Sequence, residues 1–249
     1  MAGRGDIEGY INTLLDTGRF RDYGPNGLQV EGKPEVRKII SGVTASRALI
    51  TAAIEDGADA ILVHHGLFWK GHDGRVTGWL KQRLELLLAH QINLFAYHLP
   101  LDAHLEFGNN AQFGARLGVV ADARFGDQEL GFIGSLAEPL GVAALGELLH
   151  ARLKRVPTTA QGDGRPIRRL AWCTGGAQGY FEAAITAGAD AYITGEISEP
   201  QAHYARETGV AFFACGHHAS ERFGAPALAA HVAEKFGLEH RYIEIDNPA

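Results

Sequence analysis

Three observations predict an α/β protein made of two similar halves. The stretch Ala52-Ala53-Ile54-Glu55-Asp56-Gly57-Ala58-Asp59-Ala60 recurs 131 positions later as Ala183-Ala184-Ile185-Thr186-Ala187-Gly188-Ala189-Asp190-Ala191, matching at seven of nine positions. The same offset aligns Arg37-Lys38-Ile39 with Arg168-Arg169-Leu170, so the repeated unit is a strand, a helix and a strand. Short Val/Ile/Leu-rich runs also alternate with amphipathic stretches of about ten residues, the rhythm of a sheet covered by helices on both faces. The division expected from this internal duplication is residues 1–125 and 126–249, with the strand ends of the two halves turned toward one shared cleft.

The elements follow in order. Ile7, Tyr10, Ile11, Leu14 and Leu15 share one face of a helix expected over Asp6 to Thr17, with Asp6 as its N-cap. Tyr23-Gly24-Pro25-Asn26-Gly27 is turn chemistry, and Leu28-Gln29-Val30 is a short strand after it. Strand Lys38–Val43, helix Ser46–Asp56, strand Ala60–Val63, helix Gly78–His90, strand Asn93–Tyr97 and helix Asn110–Leu117 complete the first half. A less regular middle, with a strand over Leu130–Leu136 and a helix over Val142–Lys154, leads to Gly162-Asp163-Gly164-Arg165-Pro166, the best linker candidate. The second half then reads as strand Arg169–Cys173, helix Gln178–Ala187, strand Ala191–Thr194, helix Glu199–Glu207, strand Val210–Ala214, helix Ala225–Phe236 and strand Arg241–Ile245.

Composition removes several classes of function. The formal net charge of -6, with acids and bases interspersed, lacks the basic footprint of a nucleic-acid binder. No run of about 18 apolar residues is present, and the N-terminal residues lack the apolar stretch of a signal peptide, so a cytoplasmic protein with no membrane span is expected. Cys173 and Cys215 lie far apart in apolar runs, which reads as two buried, inert thiols.

In open α/β sheets ligands bind beyond the carboxyl ends of the strands, and here those positions are rich in metal-binding side chains. His64-His65 follow Ile61-Leu62-Val63, and His98 and Asp102 follow Leu94-Phe95-Ala96-Tyr97. Glu196 follows Tyr192-Ile193-Thr194, while His217, His218 and Glu221 follow Phe212-Phe213-Ala214-Cys215. Imidazoles and carboxylates without thiolates suit a divalent ion such as zinc, manganese or iron. Adjacent strand residues point to opposite sides, so His64 and His65 do not readily grip one ion but can serve two ions side by side. A carboxylate bridging such a pair gives the arrangement that activates water in hydrolytic enzymes. Between His217 and His218 the spacing alone does not choose. The loop Cys173-Thr174-Gly175-Gly176-Ala177-Gln178-Gly179 opens a helix and is either a tight turn or a seat for a phosphorylated, nucleotide-like small-molecule substrate. Phe68-Trp69 is either packing or a stacking wall.

Five segments together resemble the Nif-three-like family, whose members are often labelled GTP cyclohydrolase I type 2 homologues. They are Asn26-Gly27-Leu28-Gln29-Val30-Glu31-Gly32, Val63 to Gly71, Tyr97-His98-Leu99-Pro100-Leu101-Asp102, Ile193-Thr194-Gly195-Glu196 and Gly216-His217-His218-Ala219-Ser220-Glu221-Arg222. The resemblance implies intertwined α/β domains, a dinuclear metal centre in the cleft between them, and a homohexameric ring. It implies His64, His65, Asp102, His217 and Glu221 as ligands, choosing His217 over His218. The inserted domain of longer relatives is missing here.

The expectation is therefore a metal-dependent hydrolase with two divalent ions and a bridging water as nucleophile, His98 or Glu196 moving protons or orienting ligands. Ring opening of GTP is one alternative. A metal-binding scaffold or metal chaperone that recruits protein partners without turnover is another.

Overall fold

A computed structural model describes all residues, 1–249. Strand β1 (Ala2–Gly3), helix α1 (Arg4–Leu14), β2 (Gly27–Val30), β3 (Glu35–Val36), β4 (Lys38–Thr44), α2 (Arg47–Glu55), β5 (Ala60–His65), α3 (Gly78–Ala89), β6 (Asn93–Ala96) and α4 (Leu99–Ala103) come first. Then follow α5 (Asn109–Leu117), β7 (Ala121–Phe125), β8 (Gly131–Leu140), α6 (Val142–Leu153), β9 (Thr158–Ala160), β10 (Ile167–Trp172) and α7 (Phe181–Thr186). Last are β11 (Ala191–Thr194), α8 (Glu199–Thr208), β12 (Ala211–Ala214), α9 (His217–Glu221), α10 (Gly224–Phe236) and β13 (Glu239–Tyr242).

The chain forms two compact units, one of residues 1–108 and 224–246, the other of residues 109–223 and 247–249. These bounds replace the expected division at 125/126, because α5 and α10 each leave the half they follow in sequence. Helix α5 packs Phe113 and Leu117 into the core around Trp172, whose Nε1 donates to the Asn110 carbonyl at 2.9 Å. Gly114 makes that approach possible, since a Cβ there would lie 2.6 Å from Trp172 Cζ2. Helix α10 instead buries Leu228, Ala229 and Val232 with Ile7 and Ile11 of α1 in the first unit.

The first unit holds the sheet β13-β4-β5-β6-β2, parallel except for β2, which pairs antiparallel with β6. Its strands are buried on both faces, and the two-residue period divides them between two cores. Ile40, Ile61, Val63 and Leu94 face Leu49, Ile50, Leu80 and Leu87 of α2 and α3. Their neighbours Ile39, Ala60, Leu62 and Phe95 face α1 and α10. Helix α2 begins where Ser46 accepts from the Leu49 amide at 3.2 Å, a side-chain cap.

The second unit holds β7-β8-β10-β11-β12-β9, in which β10, β11 and β12 run parallel and β7, β8 and β9 pair antiparallel with their neighbours. Helix α8 starts with a reciprocal cap between Ser198 and Gln201 and ends at Gly209, in the left-handed region at φ +77°.

Several expected boundaries move. Helix α1 starts at Arg4 with Gly3 at the N-cap, which puts Asp6 inside the first turn. The expected strand at Arg241–Ile245 lies instead at Glu239–Tyr242, where it pairs with β4. Gly162–Pro166 is an ordered turn inside the second unit, with the Asp163 amide donating to the Gly209 carbonyl at 3.1 Å, and is no interdomain linker. No helix is long and apolar enough to cross a membrane.

Candidate metal centre

Each unit gathers one set of metal-binding side chains at the carboxyl ends of its central strands. In the first unit β5 ends on His64 and His65, extending two residues beyond the expected Val63, and β6 leads into the short helix α4 that carries Asp102. His64 is fully buried. Its Nδ1 lies 2.9 Å from the Tyr97 carbonyl oxygen, which only accepts, so the ring proton is assigned to Nδ1 and Nε2 keeps its lone pair. Nε2 lies 3.5 Å from Asp102 Oδ1. His65 Nδ1 is 3.1 Å from Thr44 Oγ1. One ring nitrogen each of His64, His65 and His98 fall within 4.8 Å of one another.

Asp22, Asn26 and Gln29, to which sequence reasoning gave no role, build the wall behind these rings. Gln29 Oε1 accepts from the Leu67 amide at 2.8 Å and fills the space beside Gly66, where a Cβ would come within 2.2 Å of it. Asn26 Oδ1 accepts from the His98 amide at 2.7 Å while its Nδ2 donates to Asp22 Oδ2 at 2.8 Å. Asp22 Oδ1 accepts from His98 Nδ1 at 2.7 Å. Burial works against the Asp22 charge, but the hydrogen bond and charge of His98, with the donors of Asn26 and Tyr23, hold its carboxyl down at about 2. Trp69, half-buried, sets its ring 5.0 Å from His98 and 6.0 Å from His65, and Tyr23 lies 6.3 Å from His98 on an exposed loop. The ring of Trp69 therefore belongs to the histidine cluster, whereas Phe68 packs on the core.

In the second unit β12 runs into α9, a single helical turn whose i, i+4 spacing puts His217 and Glu221 on one side. His217 Nε2 lies 3.1 Å from Glu221 Oε2, and its Nδ1 lies 2.6 Å from Glu196 Oε1. Glu221 is buried, and Gln178 Nε2 donates to Glu196 Oε2 at 3.3 Å. Burial disfavours the imidazolium, yet the hydrogen bonds and charges of Glu221 and Glu196 outweigh it and raise His217 to about 9. Two glycines leave room for this pair. A Cβ on Gly175 would lie 2.0 Å from Glu221 Oε1, and one on Gly195 would lie 2.6 Å from the His217 Cα. His218 is buried beside it in α9.

In the loop after β10 the amides of Thr174, Gly175 and Ala177 are engaged within the protein, donating to Asn110 Oδ1, Ser220 Oγ and Thr194 Oγ1, as in a tight turn. The structure thus brings together His64, His65, His98 and Asp102 in one unit and Glu196, His217 and Glu221 in the other. The donors fit a divalent metal. They are imidazole nitrogens beside carboxylates, with a cation replacing the proton that Glu221 holds on His217 Nε2, and the Nδ1 of His217 is engaged by a carboxylate, the orientation that metal-binding imidazoles receive.

A two-unit α/β protein with buried His/Asp/Glu clusters at its strand ends is the class defined by this fold and these residues. The sequence profile of the Duf34/NIF3 (NGG1p interacting factor 3) family matches residues 2–248, and the chain belongs to that family. A relative from Neisseria meningitidis serogroup A, named GTP cyclohydrolase 1 type 2 homolog, is 52% identical over 249 residues, all of both chains. One of the same name from Escherichia coli K12 is 48% identical over 246 residues, 98% of each chain. Among solved structures, protein ybgI, described as of unknown function, superposes with a TM-score of 0.96 at 46% identity over all of both chains. TTHA1606 from Thermus thermophilus gives 0.89 at 34% identity, covering 100% of this chain and 99% of that one.

Proposed function

We propose that this chain is a cytoplasmic metal-dependent hydrolase that holds two divalent ions, zinc, manganese or iron, on His64, His65, Asp102, His217 and Glu221. The observation that carries the reading is the fixed state of the imidazoles. His64 Nδ1 is committed to the Tyr97 carbonyl and His217 Nδ1 to Glu196, so in each ring Nε2 is the atom offered to an ion, and each Nε2 has a carboxylate close by. Once bound, two such ions supply Lewis acidity and a water acidic enough to attack near neutral pH.

The chain's own residues do the rest. Glu196 orients His217, and the missing side chains of Gly175 and Gly195 let His217 and Glu221 sit against the loops after β10 and β11. His98 moves a proton, and Trp69 with Tyr23 bounds the approach to the histidine cluster. That aromatic rim favours a second reading, ring opening of GTP, in line with the name the relatives carry. A homohexameric ring, implied by the family resemblance, belongs to the same proposal and is tested by light scattering in solution.

Elemental analysis of the purified protein against His65→Ala is the decisive test, followed by a screen of the metal-loaded form on phosphoesters, cyclic amides and GTP. About two ions per chain, falling to one or none in the variant with loss of turnover, supports the hydrolase. Two ions without turnover on any of these, and partner capture that survives Glu221→Gln, would favour a metal-binding scaffold or chaperone. No bound ion after reconstitution would refute the dinuclear reading.

A further inference from the structure

Asp22 is fully engaged. Its side chain is 4% exposed and accepts three hydrogen bonds from groups that can only donate, the Tyr23 amide (2.6 Å) on Oδ1 and Asn26 Nδ2 (2.8 Å) and the Leu99 amide (2.9 Å) on Oδ2, while His98 Nδ1 lies 2.7 Å from Oδ1. A carboxylate that already receives three donors is held ionised and has no proton to give. The proton shared with His98 therefore sits on Nδ1. Nε2 is left as a lone pair, and no protein group is bonded to it.

The second unit uses the same device with one difference that separates the roles of the two rings. His217 also has its Nδ1 on a carboxylate and a second carboxylate four residues on, but there Glu221 stands at Nε2, 3.1 Å away. In the first unit the corresponding carboxylate, Asp102, stands 3.5 Å from His64 Nε2 instead. His98 is thus the oriented imidazole whose Nε2 stays open.

We infer that Asp22 is a positioning residue that locks His98 as its Nδ1–H tautomer, making His98 Nε2 the proton acceptor of the site. This rests on the hydrolase reading above. In the step assigned to it, the proton leaving the attacking water passes to Nε2, the imidazolium is held by the Asp22 carboxylate, and the same proton is handed to the leaving group. Ring and carboxylate end as they began. Removal of such an orienting carboxylate leaves the imidazole in place with its proton on the wrong nitrogen.

Asp22 also caps α4 through the Leu99 amide, and the test has to separate capping from positioning. Imidazole ¹⁵N spectra of histidine-labelled, metal-free protein at mildly alkaline pH read the tautomer directly. Wild type is expected to show His98 protonated on Nδ1, and Asp22→Asn to shift it to Nε2–H. Asn26→Ala, which disturbs the same loop and the His98 amide but leaves the Asp22 contact, is expected to keep the wild-type tautomer. Zinc titration of all three, with zinc alone as the probe, is expected to agree within about threefold. A wild-type His98 protonated on Nε2 overturns the inference even if the Asn variant fails to fold. So does a zinc affinity reduced about a hundredfold in Asp22→Asn, or a His98 Nε2 resonance that moves on zinc binding as a ligand nitrogen does, since both make the ring a ligand. If no zinc binds to wild type, the metal reading fails while the spectra still decide the tautomer.

Discussion

Gly175→Ala separates what the backbone needs from what the proposed metal ligands need. Gly175 has φ +73°, so any L-residue there costs about 1–2 kcal/mol for the left-handed conformation. The added Cβ would also lie 2.0 Å from Glu221 Oε1, 2.9 Å from Glu221 Cδ and 3.3 Å from His217 Nε2. A carbon and an oxygen need more than 3 Å, so the carboxylate has to move by about 1 Å, which exceeds the roughly 0.5 Å tolerance of a working site. Because the clash is with the end of a flexible side chain, Glu221 can swing aside and the fold loses little beyond the φ term. Gly188 provides the control, since it has φ +82° in the same unit and nothing within 4 Å of its Cβ position. Both variants should therefore lose about 1–2 kcal/mol in urea unfolding of the metal-free protein. Only Gly175→Ala should lose zinc affinity, by at least the 10–100-fold typical of disturbed ligand support. Equal zinc affinity in the two variants would refute the placement of Glu221 among the ligands.

Three further outcomes follow. Glu196→Gln removes the carboxylate on His217 Nδ1 and should weaken metal binding about 10–100-fold in a calorimetric titration while leaving the circular dichroism unchanged. Asp22 titrates at about 2 instead of 3.8, so its contribution, on the order of 2 kcal/mol, is present in full above pH 4 and is lost as pH falls through 2. Urea midpoints of wild type and Asp22→Asn should therefore converge between pH 5 and 2, and a constant gap would refute the assignment. Cys173 and Cys215 are buried and not disulfide-linked, and burial pushes the Cys215 thiol well up, so Ellman's reagent should find both only after denaturation.

How far the sequence could be read depended on whether the deciding contact was local. The central strands were legible because adjacent residues such as Ile39 and Ile40 are both apolar and fill two separate cores. His64, His65, His98, Asp102, Glu196, His217, His218 and Glu221 stood out as ligand-type side chains gathered at the ends of apolar runs, and the choice of His217 over His218 came only from the family resemblance. Helices α4 and α9 were missed, since five residues are too few to show a period and each lies directly after a strand end. The edge strands β7 and β9 were missed because their partly polar residues carry little strand signal. An amphipathic face on α5 or α10 says that a helix packs, not on which sheet. Asp22 had no local signal, because its partner His98 is 76 residues away.

The exchange of α5 and α10 bears on how the two halves came to differ. Both sheets contain a parallel run, β4-β5-β6 (with β13 added parallel beside β4) and β10-β11-β12, with a short antiparallel strand beside the third strand of each, β2 on β6 and β9 on β12. Each third strand leads to a one-turn helix with a histidine at its start and a carboxylate four residues later, His98 with Asp102 and His217 with Glu221. At the offset of 131, His65 aligns with Glu196, whose carboxylate lies 2.6 Å from His217 Nδ1. In the first unit the carboxylate beside the corresponding ring, His98, is Asp22, on the turn before β2. Each unit thus sets the Nδ1 of a histidine at the start of a one-turn helix against a carboxylate, which comes from a strand end in one unit and from a distant turn in the other.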